Sequence, residues 1–325
     1  MFSYRHAFHA GNHADVLKHT TLIALCTYLC GKDTALSVID THAGAGLYRL
    51  DGDYTETSGE AKDGVFRLFQ ASNQPPAQEI RAQAAPKKEA NKPLAANDFC
   101  PALQNYANVL RALNHKFLET GDVAHLKIYP GSPFIAQQFL EGRDKLKLFE
   151  LHPTDFKSLS GNIEQLGAGR QVSVAREDGF EALKTYLPPP SRRAMVFCDP
   201  SYEMKSDYAR VSACVADAVK RFATGTYVVW YPVIPRPEAH DLPRKLKTLA
   251  VKADRPWLNA VLTVKSSKLT TDSDGEVVRP GLPASGMFII NPPHTLKAQL
   301  QLALPQMVQV LGQDRNAGFT LDSGG

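Results

Sequence analysis

Residues 36–46 read Leu36-Ser37-Val38-Ile39-Asp40-Thr41-His42-Ala43-Gly44-Ala45-Gly46, an apolar run that leads into an acid and then a turn of small residues. The run has the length and composition of a buried strand, and a glycine turn behind it is how a nucleotide-binding βα unit begins. Lacking Cβ atoms, Gly44 and Gly46 can take positive φ or let a ligand approach the main chain, with N–H groups of the following segment facing it. The spelling departs from the G-x-G-x-x-G fingerprint, whose glycines cradle a pyrophosphate. Asp40 stands instead at the strand end, which suits a ligand with positive charge and no phosphate, S-adenosylmethionine among them. Other α/β nucleotide binders share a strand and a glycine turn, so the choice rests on the rest of the chain.

The chain has 325 residues, 43% of them hydrophobic, enough for one large α/β domain carrying an insertion. No uninterrupted apolar stretch approaches the roughly 20 residues that span a bilayer, and the first residues lack an apolar signal core, so a cytoplasmic protein with no membrane partner is expected. Five cysteines without CxxC spacing imply reduced, mostly buried thiols and neither a disulfide framework nor a zinc site. A net charge of +4 permits a nucleic-acid partner without requiring one.

Four of the ten histidines fall in the first twenty residues, beside Tyr4, Arg5 and Phe8. His9 and His13 are one helical turn apart, but no third ligand of metal-site spacing follows, and no metal is expected. A polar arm with solvated histidines is the plain interpretation. The sharper one is a segment that folds over the ligand, with Asp15 opening a helix over Ala14–Leu29 that aims Lys18 and His19 at the pocket. Residues 48–118 show helical patterns around a stretch, 71–97, rich in Ala, Pro, Gln, Asn and Lys; this predicts a helical insertion with a mobile loop. Residues 1–47 and 119–312 then form the main domain, and the Gly-rich polar tail 313–325 is expected to fray.

Strand patterns recur at Leu146–Phe149, Gln171–Ala175, Ala194–Cys198, Thr226–Tyr231, Asn259–Val264 and Gly286–Ile290. With the first strand they predict a seven-stranded, mostly parallel Rossmann-like sheet whose last two strands form a hairpin. The ends of the first three strands carry Asp40, Glu150 and Asp178, the last followed by Gly179. All three acids then share the carboxyl edge of one parallel sheet, where such folds bind ligands: Glu150 suits ribose hydroxyls and Asp178 an adenine amino group.

The fourth strand runs into Asp199-Pro200-Ser201-Tyr202. An aryl amine is a poor nucleophile because its lone pair is delocalised into the ring. Methylating it takes acceptors for the amino protons, a flat group against the base and an electrophilic methyl held in line. Asp199 and the carbonyl of Pro200 supply the acceptors, and Tyr202 the stacking face. An ordinary strand-ending turn is the alternative. Asn291-Pro292-Pro293-His294 is closer by letters to an amino-methylation motif, but it follows the last strand, away from the acids, and ends in histidine.

Taken together, Ser3–His6, His9–His19, Asp40–Gly46, Pro130–Pro133, Glu150–Pro153, Asp178–Phe180 and Asp199–Tyr202 resemble the RlmJ family of bacterial 23S ribosomal RNA adenine-N6 methyltransferases, over nearly the whole chain. The resemblance implies a class I methyltransferase fold with a helical insertion, binding S-adenosylmethionine through His19, His42, Ser132, Glu150, Asp178 and Gly179, and Asp199 is expected to contact the cofactor as well. It implies Asp199 as catalytic acceptor with Tyr202 and Lys18 beside it, Tyr4 and His6 near the RNA, and 23S ribosomal RNA as partner of a monomer. The family's D-P-P-Y appears here as D-P-S-Y. Rival functions are methylation of guanine N2 or of DNA adenine, a dinucleotide-dependent oxidoreductase, which the missing G-x-G-x-x-G disfavours, and a non-catalytic RNA binder on the same fold.

Overall fold

The computed structural model describes residues 6–51, 59–73, 98–118, 126–268, 270–271, 277–278 and 281–325. The strands are β1 (Ser37–Asp40), β2 (Leu47–Arg49), β3 (Ile128–Pro130), β4 (Lys145–Phe149), β5 (Val172–Ala175), β6 (Ala194–Cys198), β7 (Thr226–Val233), β8 (Trp257–Thr263), β9 (Thr270–Thr271), β10 (Val277–Val278), β11 (Ala284–Ile290) and β12 (Gly318–Gly324). The α-helices are α1 (His13–Cys30), α2 (Val65–Asn73), α3 (Pro101–Leu118), α4 (Ser132–Gln137), α5 (Pro153–Gln165), α6 (Gly179–Tyr186), α7 (Lys205–Arg221), α8 (Pro237–Lys252) and α9 (Leu296–Leu311).

Eight strands form one sheet in the order β12-β8-β11-β7-β6-β1-β4-β5. The five from β5 to β7 are parallel, and β11, β8 and β12 add antiparallel. From β1 the chain winds outward through β4 and β5, then returns to the other side of β1 for β6 and β7. The reversal falls between β1 and β6, where Asp40 pairs with Phe197, and it opens a crevice at the carboxyl ends of these strands.

Alternation along buried strands divides the core between the two faces. On β6, Met195 and Phe197 join the core under α1, α3, α4 and α9, while Ala194, Val196 and Cys198 point into the core under α6, α7 and α8. The described helices of the insertion belong to the first core: Leu68 and Phe69 of α2 and Leu103, Tyr106 and Leu110 of α3 pack there. The chain leaves for the insertion through β2 and returns through β3, which pair antiparallel. Residues 74–97 of the expected loop lie outside the described residues.

The sheet has eight strands where seven were expected, because the tail does not fray. Residues 318–324 pair antiparallel with the whole of β8. An edge strand is held on one side by main-chain hydrogen bonds, so a polar, Gly-containing sequence suffices, and Leu321 supplies its contact with the core. Among the described residues no helix is long and apolar enough to cross a membrane.

Candidate active site

A cavity of about 420 Å³ opens at the carboxyl edge of β1, β4, β5 and β6, inside the range of roughly 300–1,000 Å³ usual for small-ligand sites. Every described residue expected from the sequence to bind cofactor lines it: His19, His42, Ser132, Glu150, Asp178, Gly179 and Asp199. His6 and Lys18 line it too. Tyr4 lies outside the described residues.

Its floor is the turn after β1. Gly44 has φ +61°, and its N–H donates to Glu150 Oε2 at 2.8 Å, while His152 N–H donates to Oε1 at 2.7 Å. The end of β4 is thereby tied to the glycine turn. Burial raises the pKa of Glu150 against both hydrogen bonds. Beneath the turn, Asp40 accepts from Ser132 Oγ at 2.6 Å and from His42 N–H at 3.2 Å; burial lifts its pKa to about 7. Helix α6 starts hard against this floor. A Cβ on Gly179 would overlap the Thr41 carbonyl oxygen, so only glycine lets the helix approach.

Asp178 caps α6 by accepting from Phe180 N–H at 3.0 Å, and Arg210 of α7 donates to its other oxygen at 2.5 Å. The Arg210 guanidinium lies 4.6 Å from the Phe180 ring centroid, whose other neighbour is the edge of His42 at 4.7 Å. Burial lowers the pKa of His42 to about 4 and of His19 to about 3. Both imidazoles are neutral at working pH; His19 Nδ1 sits 2.7 Å from the Tyr129 hydroxyl.

At the other end stands Asp199, one residue beyond β6. Lys18 Nζ donates to its Oδ2 at 2.7 Å, and among the described residues no donor reaches Oδ1. Lys18 is also 2.7 Å from Asp15 Oδ1 and 5.5 Å from the ring centroid of Trp230. Two carboxylates hold the buried ammonium protonated, its pKa raised despite desolvation.

Tyr202 departs from expectation. Its side chain is 3% exposed and does not line the cavity. It takes φ +53°, its hydroxyl donates to the Trp230 carbonyl at 2.7 Å, and its ring packs on Tyr208. The left-handed backbone turns the ring inward, so in this conformation Tyr202 braces the turn and offers no stacking face. His9 and His13 also part company. His9 Nδ1 meets Glu60 at 3.0 Å and His13 Nε2 the Leu282 carbonyl at 3.0 Å. Among the described residues no group of three or more His, Cys, Asp or Glu is placed to hold a metal ion.

Sequence reasoning gave no role to Arg210, Trp230 and Tyr129. Nothing local marks them, because each reaches the site from an element far along the chain. Asp15 was seen as a helix opener only, although its i,i+3 spacing to Lys18 was a usable signal of pairing.

A family model described as "Ribosomal RNA large subunit methyltransferase D, RlmJ" matches residues 33–85 and 87–322. The chain belongs to this family. Among RlmJ relatives, the Ribosomal RNA large subunit methyltransferase J of Escherichia coli (strain K12) is 38% identical over 305 residues, covering 94% of this chain and 92% of its own. That of Haemophilus influenzae is 35% identical over 322 residues, covering 99% and 98%. A crystal structure of a protein from Legionella pneumophila superposes with a TM-score of 0.77 at 29% identity, covering 97% of this chain and 98% of that one. These matches agree with the resemblance drawn from the motifs and with the Rossmann-like methyltransferase fold.

Proposed function

We propose that the protein methylates the exocyclic N6 of an adenine in large-subunit 23S ribosomal RNA, with S-adenosylmethionine as methyl donor. The charge of the cavity carries this reading: seven carboxylates line it against one lysine and one arginine, both engaged with carboxylates. A pyrophosphate cofactor would meet strong repulsion there, whereas a sulfonium with an α-ammonium group is attracted. The floor depends on glycine at both positions, since a Cβ on Gly44 would overlap the Tyr48 hydroxyl and one on Gly179 the Thr41 carbonyl oxygen.

Glu150 would accept hydrogen bonds from the donor's ribose and Asp178, beside the Phe180–Arg210 stack, from its adenine, with Ser132 and His19 also holding the donor. When bound, the donor supplies an electrophilic methyl group. The target adenine must leave its stack to reach the crevice. Asp199 Oδ1 and the Pro200 carbonyl then accept the two amino protons, which aims the nitrogen lone pair out of the ring plane. Lys18 holds the acceptor still, and Asp199 takes the released proton. His6, and Tyr202 through the turn it braces, complete the substrate side, and Tyr4 is the expected contact to the RNA.

The experiment is transfer of an isotopically labelled methyl group to protein-free large-subunit RNA, followed by digestion and mass analysis of the nucleosides. The expected product is N6-methyladenosine. Label in N2-methylguanosine, or label only on DNA, would replace this reading with a rival amine.

A further inference from the structure

Asp15 is 1% exposed and does not line the cavity, yet it bonds three groups. Its Oδ1 lies 2.7 Å from Lys18 Nζ. Its Oδ2 lies 3.1 Å from His6 Nε2 and accepts from Gly11 N–H at 2.8 Å. Asn12, the N-cap of α1, accepts from Asp15 N–H, so the backbone that carries the carboxylate is fixed as well. One buried anion therefore joins the 3-10 turn His6–Phe8, the first turns of α1 and, through Lys18, Asp199.

We propose that Asp15 is a positioning residue for methyl transfer, which acts through Lys18 to set the acceptor carboxylate. The inference rests on the function proposed above and deepens it. A lysine side chain has four rotatable bonds, and a single salt bridge to Asp199 leaves the ammonium free to swing about that carboxylate. Contact with Asp15, Asp199 and the face of Trp230 fixes it from three sides. Asp199 Oδ2 is then occupied in one geometry, and Oδ1 is left for the amine. The groups packed around Asp15 agree: burial opposes its charge, but His6 and Lys18 outweigh it, and its pKa lies well below the ordinary carboxylate range. His6 lines the cavity while its ring meets Tyr48 edge-on, so the same carboxylate ties the arm to the reactive end.

The test is a double-mutant cycle read as kcat at saturating RNA and cofactor, with cofactor affinity from calorimetry alongside. Asp15→Asn keeps the size and the Gly11 contact but removes the charge; it is expected to lower kcat by about 10²-fold while cofactor affinity stays within about twofold. Lys18→Met should lose as much or more. In the double variant the loss should equal that of Lys18→Met alone, because Asp15 has nothing left to position. If Asp15→Asn fails to fold because a buried ammonium has lost a partner, the double variant, which lacks that ammonium, still gives the comparison with Lys18→Met. Wild-type kcat in Asp15→Asn, or a double variant whose loss is the product of the two single losses or exceeds that of Lys18→Met, overturns the inference alone. A wild-type protein that methylates no large-subunit RNA overturns the function and the inference with it.

Discussion

Asp199–Tyr202 and Asn291–His294 each follow a fully buried strand of the same sheet, and the second has the more motif-like spelling. Their surroundings differ completely. Asp199 ends a strand of the parallel half and faces a cavity with its carboxylate held by a lysine. Asn291 ends β11, which runs antiparallel to β7 with Ile290 beside Tyr227 near that strand's beginning, so its turn lies at the opposite edge of the sheet. There its amide donates to the carbonyls of Ala223 and Gly225 at 2.8 and 2.6 Å. Among the described residues no donor reaches the second oxygen of Asp199, whereas the amide of Asn291 is spent stapling a loop. The direction of the strand decides what such a turn can do, and its letters do not.

The contrast breaks most sharply in rate. Asp199→Ala should cost about 10²- to 10⁴-fold in kcat, the usual worth of a positioned acid–base group, with cofactor affinity by calorimetry near wild type. Asn291→Ala should leave kcat unchanged and lose about 1–3 kcal/mol of stability in denaturant unfolding, from two hydrogen bonds and a positive φ. A catalytic defect in Asn291→Ala would erase the difference between the two edges.

Much of this geometry was legible beforehand. Strand ends are set by the alternation of apolar residues, so Asp40, Glu150, Asp178 and Asp199 could be placed on one edge from pattern alone. The grip of Lys18 on Asp199 spans 181 positions, and no spacing rule reaches that far. Tyr202 was misjudged for a local reason: which way an aromatic points depends on the φ its backbone adopts, and a D-P-S-Y spelling does not declare a left-handed residue. The tail was misjudged because edge pairing needs little from side chains.

Cofactor affinity sharpens the comparison next. Glu150→Gln should weaken S-adenosylmethionine binding by about tenfold or more, the loss of a charge-assisted hydrogen bond, while kcat at saturating cofactor changes little. Equal affinity in calorimetry would remove Glu150 from the ribose seat. The floor also carries a pH signature. Asp40 has a folded pKa of about 7, above its ordinary value, so the folded state binds more protons than the unfolded one between about pH 4 and 7. Stability from this group is complete at low pH and falls as pH rises through that window. Melting temperatures should show this decline, and Asp40→Asn should flatten it; an unchanged profile would mean that Asp40 is ionised throughout. The smallest effect is expected from making the two turns more alike. Ser201→Pro should change kcat by no more than about twofold, in line with exposed substitutions, because Lys18 and not a second proline holds Asp199.

The central claim is that Asp199 Oδ1 receives the amine beside the donor. A crystal structure with S-adenosylhomocysteine and adenosine monophosphate measures this directly. The expected result is adenine N6 within about 2.6–3.2 Å of Asp199 Oδ1, on the side of the donor sulfur and with Lys18 still on Oδ2. A base bound elsewhere, or the Asp199 carboxylate turned away from N6, would contradict it.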